Sequence, residues 1–236
     1  MVDDYGTVFD GKHSYKDFGF RVKDKKIGTP SKIKTKERIA YSNKIFDFST
    51  VYGGQEYNER ELVYVYSIRD RNKTNLDVKL TSFIKHLTTP SQKVILKDDV
   101  IPGYYFFAEV EGPIDLDEFS WRGDLTVTYT AYPFRVSDSE EGNDIWDSFN
   151  FLLDYAQPVQ FTIQNHQSIS LFNGGVTIAH PTIRSSAPMQ LIFNGRTFNI
   201  PAGESSSLDF YLQPGDNSLQ IVGTGTISFH FRKELI

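Results

Sequence analysis

The last third of the chain is broken by tight-turn signals at short intervals, a rhythm that leaves no room for helices. They are Asn173-Gly174-Gly175, Asn194-Gly195, Pro201-Ala202-Gly203, Pro214-Gly215 and Gly223-Thr224-Gly225. Gly and Asn accept positive φ and Pro presets φ, so each cluster reverses the chain cheaply. Between the turns apolar residues alternate with polar ones. The series runs Leu191 and Phe193; Phe198 and Ile200; Leu208, Phe210 and Leu212; Leu219 and Ile221; Ile227, Phe229 and Phe231. A period of two, repeated every 8–12 residues or so, predicts an antiparallel β-sandwich. Asn194-Gly195 fits a two-residue hairpin turn.

The first half differs. Leu76, Leu80, Phe83, Ile84 and Leu87 lie on one helical face, predicting a single helix over about 75–88. Thr74 or Asn75 can cap its start, and Pro90 forbids its continuation. Strands are expected over Leu62–Ile68, Val94–Leu96, Tyr104–Val110 and Leu125–Ala131, in keeping with 19 Phe and 13 Tyr in the chain. Residues 28–58 are long, polar and poor in apolar residues. They read as an extended arm or long hairpin that buries Ile39, Ile45, Phe46 and Phe48 against a neighbour. Residues 145–153 suit either a helix or a strand.

Charge divides the chain. Fourteen of fifteen lysines precede residue 98, and residues 1–134 balance 20 basic against 20 acidic side chains. Residues 135–236 carry 5 against 10. The polar run Ser137–Asp144 reads as a linker between two domains, 1–136 and 137–236. Residues 21–38 hold eight Lys and Arg against two acids, and residues 98–147 hold thirteen acids against Arg122 and Arg135. These blocks are either two solvated faces or complementary contact surfaces in an assembly.

Catalytic and cofactor signatures are weak. With no cysteine there is no thiol nucleophile, disulfide or cysteine zinc site. His13, His86, His166, His180 and His230 have no metal-ligand spacing. Gly223-Thr224-Gly225 lacks the third glycine of a dinucleotide loop, and Gly203-Glu204-Ser205 opens no nucleophile elbow. Asn72-Lys73-Thr74 reads as a chance sequon, and Asp115, Asp117 and Glu118 as a solvated acidic loop. The expectation is a protein that is not an enzyme, with no cofactor and no metal. Met1-Val2-Asp3-Asp4-Tyr5 does not resemble a secretory signal, and the longest apolar run, Tyr104–Ala108, is too short to span a bilayer, so no membrane insertion is expected. A net charge of −5 argues against nucleic-acid binding by bulk electrostatics.

Several segments resemble the distal tail protein of long non-contractile-tailed bacteriophages. They are Phe9-Asp10-Gly11-Lys12-His13-Ser14-Tyr15-Lys16-Asp17-Phe18-Gly19, Tyr57 with Arg60, Asp99 with Tyr104-Tyr105, and Thr126 through Phe134. In the second half, Asn173-Gly174, Ala179-His180-Pro181-Thr182-Ile183, Asn194-Gly195, Pro214-Gly215-Asp216-Asn217 and Gly223 through Phe229 are similar in order and spacing to that family's galectin-like domain. The resemblance implies a mainly β protein. Its N-terminal domain is β-sandwich-like, with one α-helix and an extended arm, and is followed by a galectin-like antiparallel β-sandwich. It implies a homo-hexameric ring, a tail-tip or baseplate hub in the virion, assembled in the host bacterial cytoplasm. The ring's partners are the tail tube protein, the tail-associated lysin or tail fibre, and a receptor-binding protein or its scaffold, with DNA only in transit through the channel. The arm fits the part that clasps the adjacent subunit, which makes Lys32, Lys34, Lys36, Arg38, Ile39, Ile45, Phe46 and Phe48 the candidate oligomerisation residues. The alternative is a carbohydrate-binding or host-adhesion module. Against it, Trp121 and Trp146 both precede the turn-rich region, so no tryptophan is there to stack on a sugar.

Overall fold

The computed structural model describes residues 4–51, 54–119, 121–142 and 155–236, and is mainly β. The chain forms two compact units, one ending at Arg135 and one spanning Val136–Leu235.

The first unit opens with β1 (Thr7–Phe9), β2 (Lys12–His13), α1 (Ser14–Phe18) and β3 (Arg21–Ile27). A small ribbon follows, β4 (Lys36–Arg38) and β5 (Ile45–Asp47), and then β6 (Arg60–Arg69) and α2 (Lys73–Thr88). The remainder is β7 (Val94–Asp98), β8 (Tyr104–Glu109), β9 (Asp115–Phe119) and β10 (Arg122–Ala131). The main sheet runs β2-β1-β7-β8-β10-β6-β3 with antiparallel neighbours, and β9 also pairs with β10. β6 and β10 pair along their whole lengths, Arg60 opposite Ala131 and Arg69 opposite Arg122. Alternation therefore puts Leu62, Tyr64, Tyr66 and Ile68 beside Leu125, Val127 and Tyr129 on one buried face. The predicted helical stripe closes over that face: Leu76, Leu80, Phe83 and Leu87 are buried in the same core, and Ile84 packs on its margin.

Three expectations for this unit are corrected, and one strand that no pattern announced is added. The helix is capped by Asn72, whose Oδ1 accepts from the amides of Thr74 (3.1 Å) and Asn75 (3.3 Å). The sequon-like triplet Asn72-Lys73-Thr74 is thus where the helix starts. A second helix, α1, exists but is five residues long, too short to print a 3.6-residue period. His13 Nδ1 accepts from the amides of Tyr15 (3.0 Å) and Lys16 (3.2 Å), and Gly19, at φ 83°, ends it. β3 carries charges on both faces because it lies at a sheet edge, where only Val22 is buried. Finally, Asp115–Phe119 is a strand, not a loop; residues 115–118 are exposed on both faces, so their polarity concealed it.

The second unit continues from β11 (Arg135–Ser137), which begins at the boundary. It contains β12 (Gln160–Ile163), β13 (His166–Asn173), β14 (Thr182–Ser185), β15 (Met189–Phe193) and β16 (Arg196–Ile200). It ends with β17 (Gly203–Ser205), β18 (Gly215–Val222), β19 (Gly225–His230) and β20 (Glu234–Leu235). Two four-stranded antiparallel sheets, β12-β19-β14-β17 and β13-β18-β15-β16, enclose one core that includes Leu171, Leu191, Leu219, Ile221, Ile227 and Phe229. Asn194 and Gly195 take φ 51° and 75°, the hairpin turn their sequence predicts.

Two further expectations are corrected here. Residues 208–212 form no strand: Leu208 is 85% exposed, the Ser207 hydroxyl accepts the Asp209 amide, and only Leu212 bridges to Ala179. Phe210 and Leu212 are nonetheless buried. The supposed linker is docked through residue 142. The Ser137 amide donates to the Lys233 carbonyl (3.0 Å) and the Glu141 amide to the Phe231 carbonyl (2.9 Å). Glu140 meets His230 Nδ1 at 2.9 Å, and the buried carboxylate of Glu141 faces the buried ammonium of Lys233 at 3.8 Å. The acidic run is therefore a strap anchored by the basic residues of the last strands. The rest of the run, and the segment 145–153 that suits helix or strand, lie outside the described residues.

Candidate assembly surface

The arm is a long two-stranded ribbon rooted by a buried arginine. Arg60 Nε donates to the Gly28 carbonyl (2.8 Å) and its guanidinium to the Pro133 carbonyl (3.2 Å). The Gly28 amide donates to the Glu61 carbonyl (2.9 Å). A side chain at Gly28 would lie 2.8 Å from that carbonyl, so glycine is required by close approach. Ladder bonds continue outward: Asn58 amide to Ser31 carbonyl, Ile33 to Glu56, Phe48 to Thr35, and Ile39 to Lys44. Lys32 bridges to Tyr57.

The register gives the ribbon two unlike faces. Directly opposed residues of an antiparallel pair share a face, and the partners are Lys36–Asp47, Glu37–Phe46 and Arg38–Ile45. One face carries Glu37, Phe46 and Phe48, with Ile39 in line; the Phe46 and Phe48 rings are 6.0 Å apart. The other carries Lys34, Lys36 and Arg38 with Ile45 and Asp47. Lys34 bonds Asp47 at 3.1 Å, and the hydroxyl and amide of Ser49, followed by Lys34, hold the Asp47 carboxyl well below the usual carboxylate range. Lys36 and Arg38 have no ion-pair partner among the described residues. Ile39, Ile45, Phe46 and Phe48 are 37, 55, 54 and 44% exposed. Four large apolar side chains on one ribbon are thus left about half in water.

The two charge blocks meet partly inside the unit. Lys25 Nζ lies 2.7 Å from Asp98, and Lys23 Nζ lies 2.6 Å from Asp124. Asp98 is the centre of a buried network that no sequence pattern marked. Its Oδ2 also accepts from Tyr64 (2.8 Å) and Tyr5 (3.1 Å), and its Oδ1 from the Val100 amide (2.9 Å). Beside it Tyr66 shares hydrogen bonds with Thr7 (2.8 Å) and Tyr129 (3.0 Å). Burial, then the Asp98 charge, push the Tyr5 and Tyr64 hydroxyls far above the ordinary tyrosine value; burial does the same to Tyr66 and Tyr129. Such a network joins the first strand, β3, β6 and β7 without offering a reactive group.

Four of the five histidines are similarly occupied, His230 by Glu140 and Ser228. His13 caps α1 and meets Asp99 at 3.1 Å, His86 bonds the Phe9 carbonyl at 2.7 Å, and His180 the Phe210 carbonyl at 3.3 Å. Among the described residues no three His, Asp or Glu side chains are placed to hold a metal, and no helix is long and apolar enough to cross a membrane. On the outer face of the second unit, Gln160, Ser228, Arg184 and Glu204 form one cross-strand row above a shallow groove. Arg184 is held by Glu204 at 2.9 Å, and no aromatic side chain lines the groove.

No protein-family model matches the chain, and no curated protein matches it in sequence. Among solved structures, the crystal structure of the SPP1 Dit (gp 19.1) protein matches with a TM-score of 0.68 and 15% sequence identity. That protein is described as a paradigm of the hub adsorption apparatus in phages that infect Gram-positive bacteria. The match covers 98% of this chain and 99% of that one. The phage p2 baseplate in its activated conformation with Sr matches at 7% identity and a TM-score of 0.42, over 98% of this chain and 97% of that one. The same baseplate with Ca matches at 6% and 0.40, over 97% of each chain. The SPP1 likeness establishes the fold over nearly the full length.

Proposed function

We propose that this chain is the distal tail protein of a siphophage, a structural hub at the virion tail tip, assembled in the host bacterial cytoplasm. Six copies close a ring around a channel for DNA passage. The ring joins the tail tube to the tail-associated lysin or tail fibre, and the sandwich units carry the receptor-binding protein or its scaffold. The observation that carries this reading is the end-to-end fold likeness to the SPP1 hub protein. The ribbon supports it independently. A closed ring needs two different surfaces on each copy, and a projecting ribbon with exposed Ile39, Phe46 and Phe48 supplies one of them. The role is mechanical and not enzymatic: the buried Asp98 carboxylate and the tyrosines around it are engaged with one another and with Lys25. Each unit is expected to fold by itself, since each has its own core.

Sedimentation velocity with negative-stain imaging tests the reading. Six copies of a 27.0 kDa chain should sediment at about 160 kDa and show six-fold rings. A protein that stays monomeric at tens of micromolar (a rough threshold for weak association) overturns it. The rival, a carbohydrate-binding module, draws on the polar row Gln160–Ser228–Arg184–Glu204. It lacks the stacking ring that sugar sites use, because Trp121 lies in the first unit and Trp146 outside the described residues. Calorimetric titration with galactosides should show no saturable heat; specific binding by a monomer would favour the rival.

A further inference from the structure

We propose that the arm of one copy docks on β9 of the next by strand addition, with Lys36 and Arg38 against Asp115 and Asp117. This inference rests on the ring reading and names the acceptor surface, which that reading leaves open. Three observations carry it.

The first is an unpaired edge. β9 pairs only with β10 among the described residues, and Asp115 through Glu118, Leu116 included, are exposed. A strand edge with free amides and carbonyls is a template for another strand. The second is what remains after internal pairing. Lys23, Lys25 and Lys34 are matched to Asp124, Asp98 and Asp47. Among the described residues Lys36, Arg38, Asp115 and Asp117 have no ion-pair partner. Lys26 on β3, Lys32 on the ribbon and Glu111 also lack one, but only Lys36 with Arg38 and Asp115 with Asp117 stand as like-charged pairs two residues apart on strands. The third is parity. Lys36 and Arg38 lie two residues apart on one face of β4, and Asp115 and Asp117 lie two apart on one face of β9. Placing Glu37 opposite Leu116 sets both opposite-charge pairs in register in either strand direction. It also brings Leu116 to the face that carries Phe46. A shift of one residue would set Glu37 against an aspartate, so the correct register is the one without like charges.

The chain has no cysteine, so a disulfide can report this contact without background. Glu37→Cys combined with Leu116→Cys should, on oxidation, give a covalent ladder of multimers ending at six copies. Each single variant should give at most a dimer. In a second arm, Asp115→Lys with Asp117→Lys should weaken self-association about tenfold or more. So should Lys36→Glu with Arg38→Glu, and the quadruple charge swap should recover most of the loss. All four side chains are exposed, so the urea midpoint of each variant should match the parent and separates lost docking from lost folding. A ring that forms normally, depends on the ribbon, and neither cross-links nor responds to the swap overturns this inference and leaves the ring reading standing. An intrachain disulfide in a monomer overturns it too. A parent chain that never self-associates overturns both.

Discussion

Replacing Asp98 with alanine removes the hub of the first unit's polar core. The carboxylate is fully buried, with Lys25 Nζ at 2.7 Å, Tyr64 hydroxyl at 2.8 Å and Tyr5 hydroxyl at 3.1 Å, all on Oδ2. Truncation leaves two hydroxyls and an ammonium without their acceptor. Removing one member of a buried ion pair costs about 3–5 kcal/mol. The Lys25 side chain keeps a quarter of its exposure and can turn toward water, which favours the lower end, about 3 kcal/mol. With a urea slope of about 2 kcal/mol/M, the midpoint should fall by roughly 1.5 M. Urea titration of the full chain by far-UV circular dichroism, in parallel with the parent, reads this directly. Lys25→Met in the Asp98→Ala background separates the terms: removing the stranded ammonium should recover part of the loss, about 1 kcal/mol. A loss below about 0.5 kcal/mol for Asp98→Ala, the size expected of a surface change, would refute the view that this charge organises the core.

Three other outcomes are expected. Tyr5, Tyr64, Tyr66 and Tyr129 hold their protons more tightly when folded than when unfolded, burial being the leading cause. Their contribution is therefore complete below the unfolded tyrosine value of about 10 and is lost as pH rises above it. Tyrosinate absorbance should thus show these four ionising only as the fold opens. Asn72→Ala removes the acceptor for two helix amides and should cost about 1 kcal/mol by the same urea assay. Phe46→Ala with Phe48→Ala should lower the sedimenting mass while leaving the urea midpoint unchanged, because both side chains are half exposed in one copy; an unchanged mass would remove the ribbon from the interface.

What could be read in advance was whatever repeated. The α2 stripe and the alternations around Leu191, Ile221 and Phe229 are periodic, and each lies where its period predicts. The elements that escaped are those whose residues obey local or edge constraints. α1 is one turn held by an unusual histidine cap and a left-handed glycine. β3 and β9 sit at edges: β9 meets water on both faces and β3 buries only Val22, so no alternation is enforced. Residues 208–212 show the opposite error, a period-two pattern without a strand. Phe210 and Leu212 fill the core from a loop, and Leu208 matches the pattern while pointing into solvent. The ribbon was legible for a different reason: a long segment with too few apolar residues to make a core still displays those it has, Ile39, Ile45, Phe46 and Phe48 among them.

Charge counted along a sequence adds up, but charge in a fold cancels by position. The basic block at 21–38 and the acidic block at 98–147 look like two opposed surfaces when summed. In the structure, β3 lies across the sheet from the end of β7 by way of buried side chains, so Lys25 reaches Asp98, and Lys23 reaches Asp124 on β10. The last acids of the block among the described residues, Glu140 and Glu141, are held by His230 and Lys233 in the other unit's own strap. Each internal pair removes one basic and one acidic candidate from any contact between copies. Among the described residues, that subtraction leaves Lys26, Lys32 and Glu111 singly, and two pairs at strand spacing, Lys36 with Arg38 on the ribbon and Asp115 with Asp117 on an open edge. A long-range attraction between whole faces would decay within about 10 Å at ordinary salt. In the proposed docking, two matched pairs at strand spacing would act at contact instead, and so select register more than they add affinity. Stability of the proposed contact would then come from burying Phe46, Phe48, Ile39 and Leu116, at about 25 cal/mol per Å² of apolar surface. Added salt should accordingly slow assembly and loosen its register while leaving formed rings largely intact.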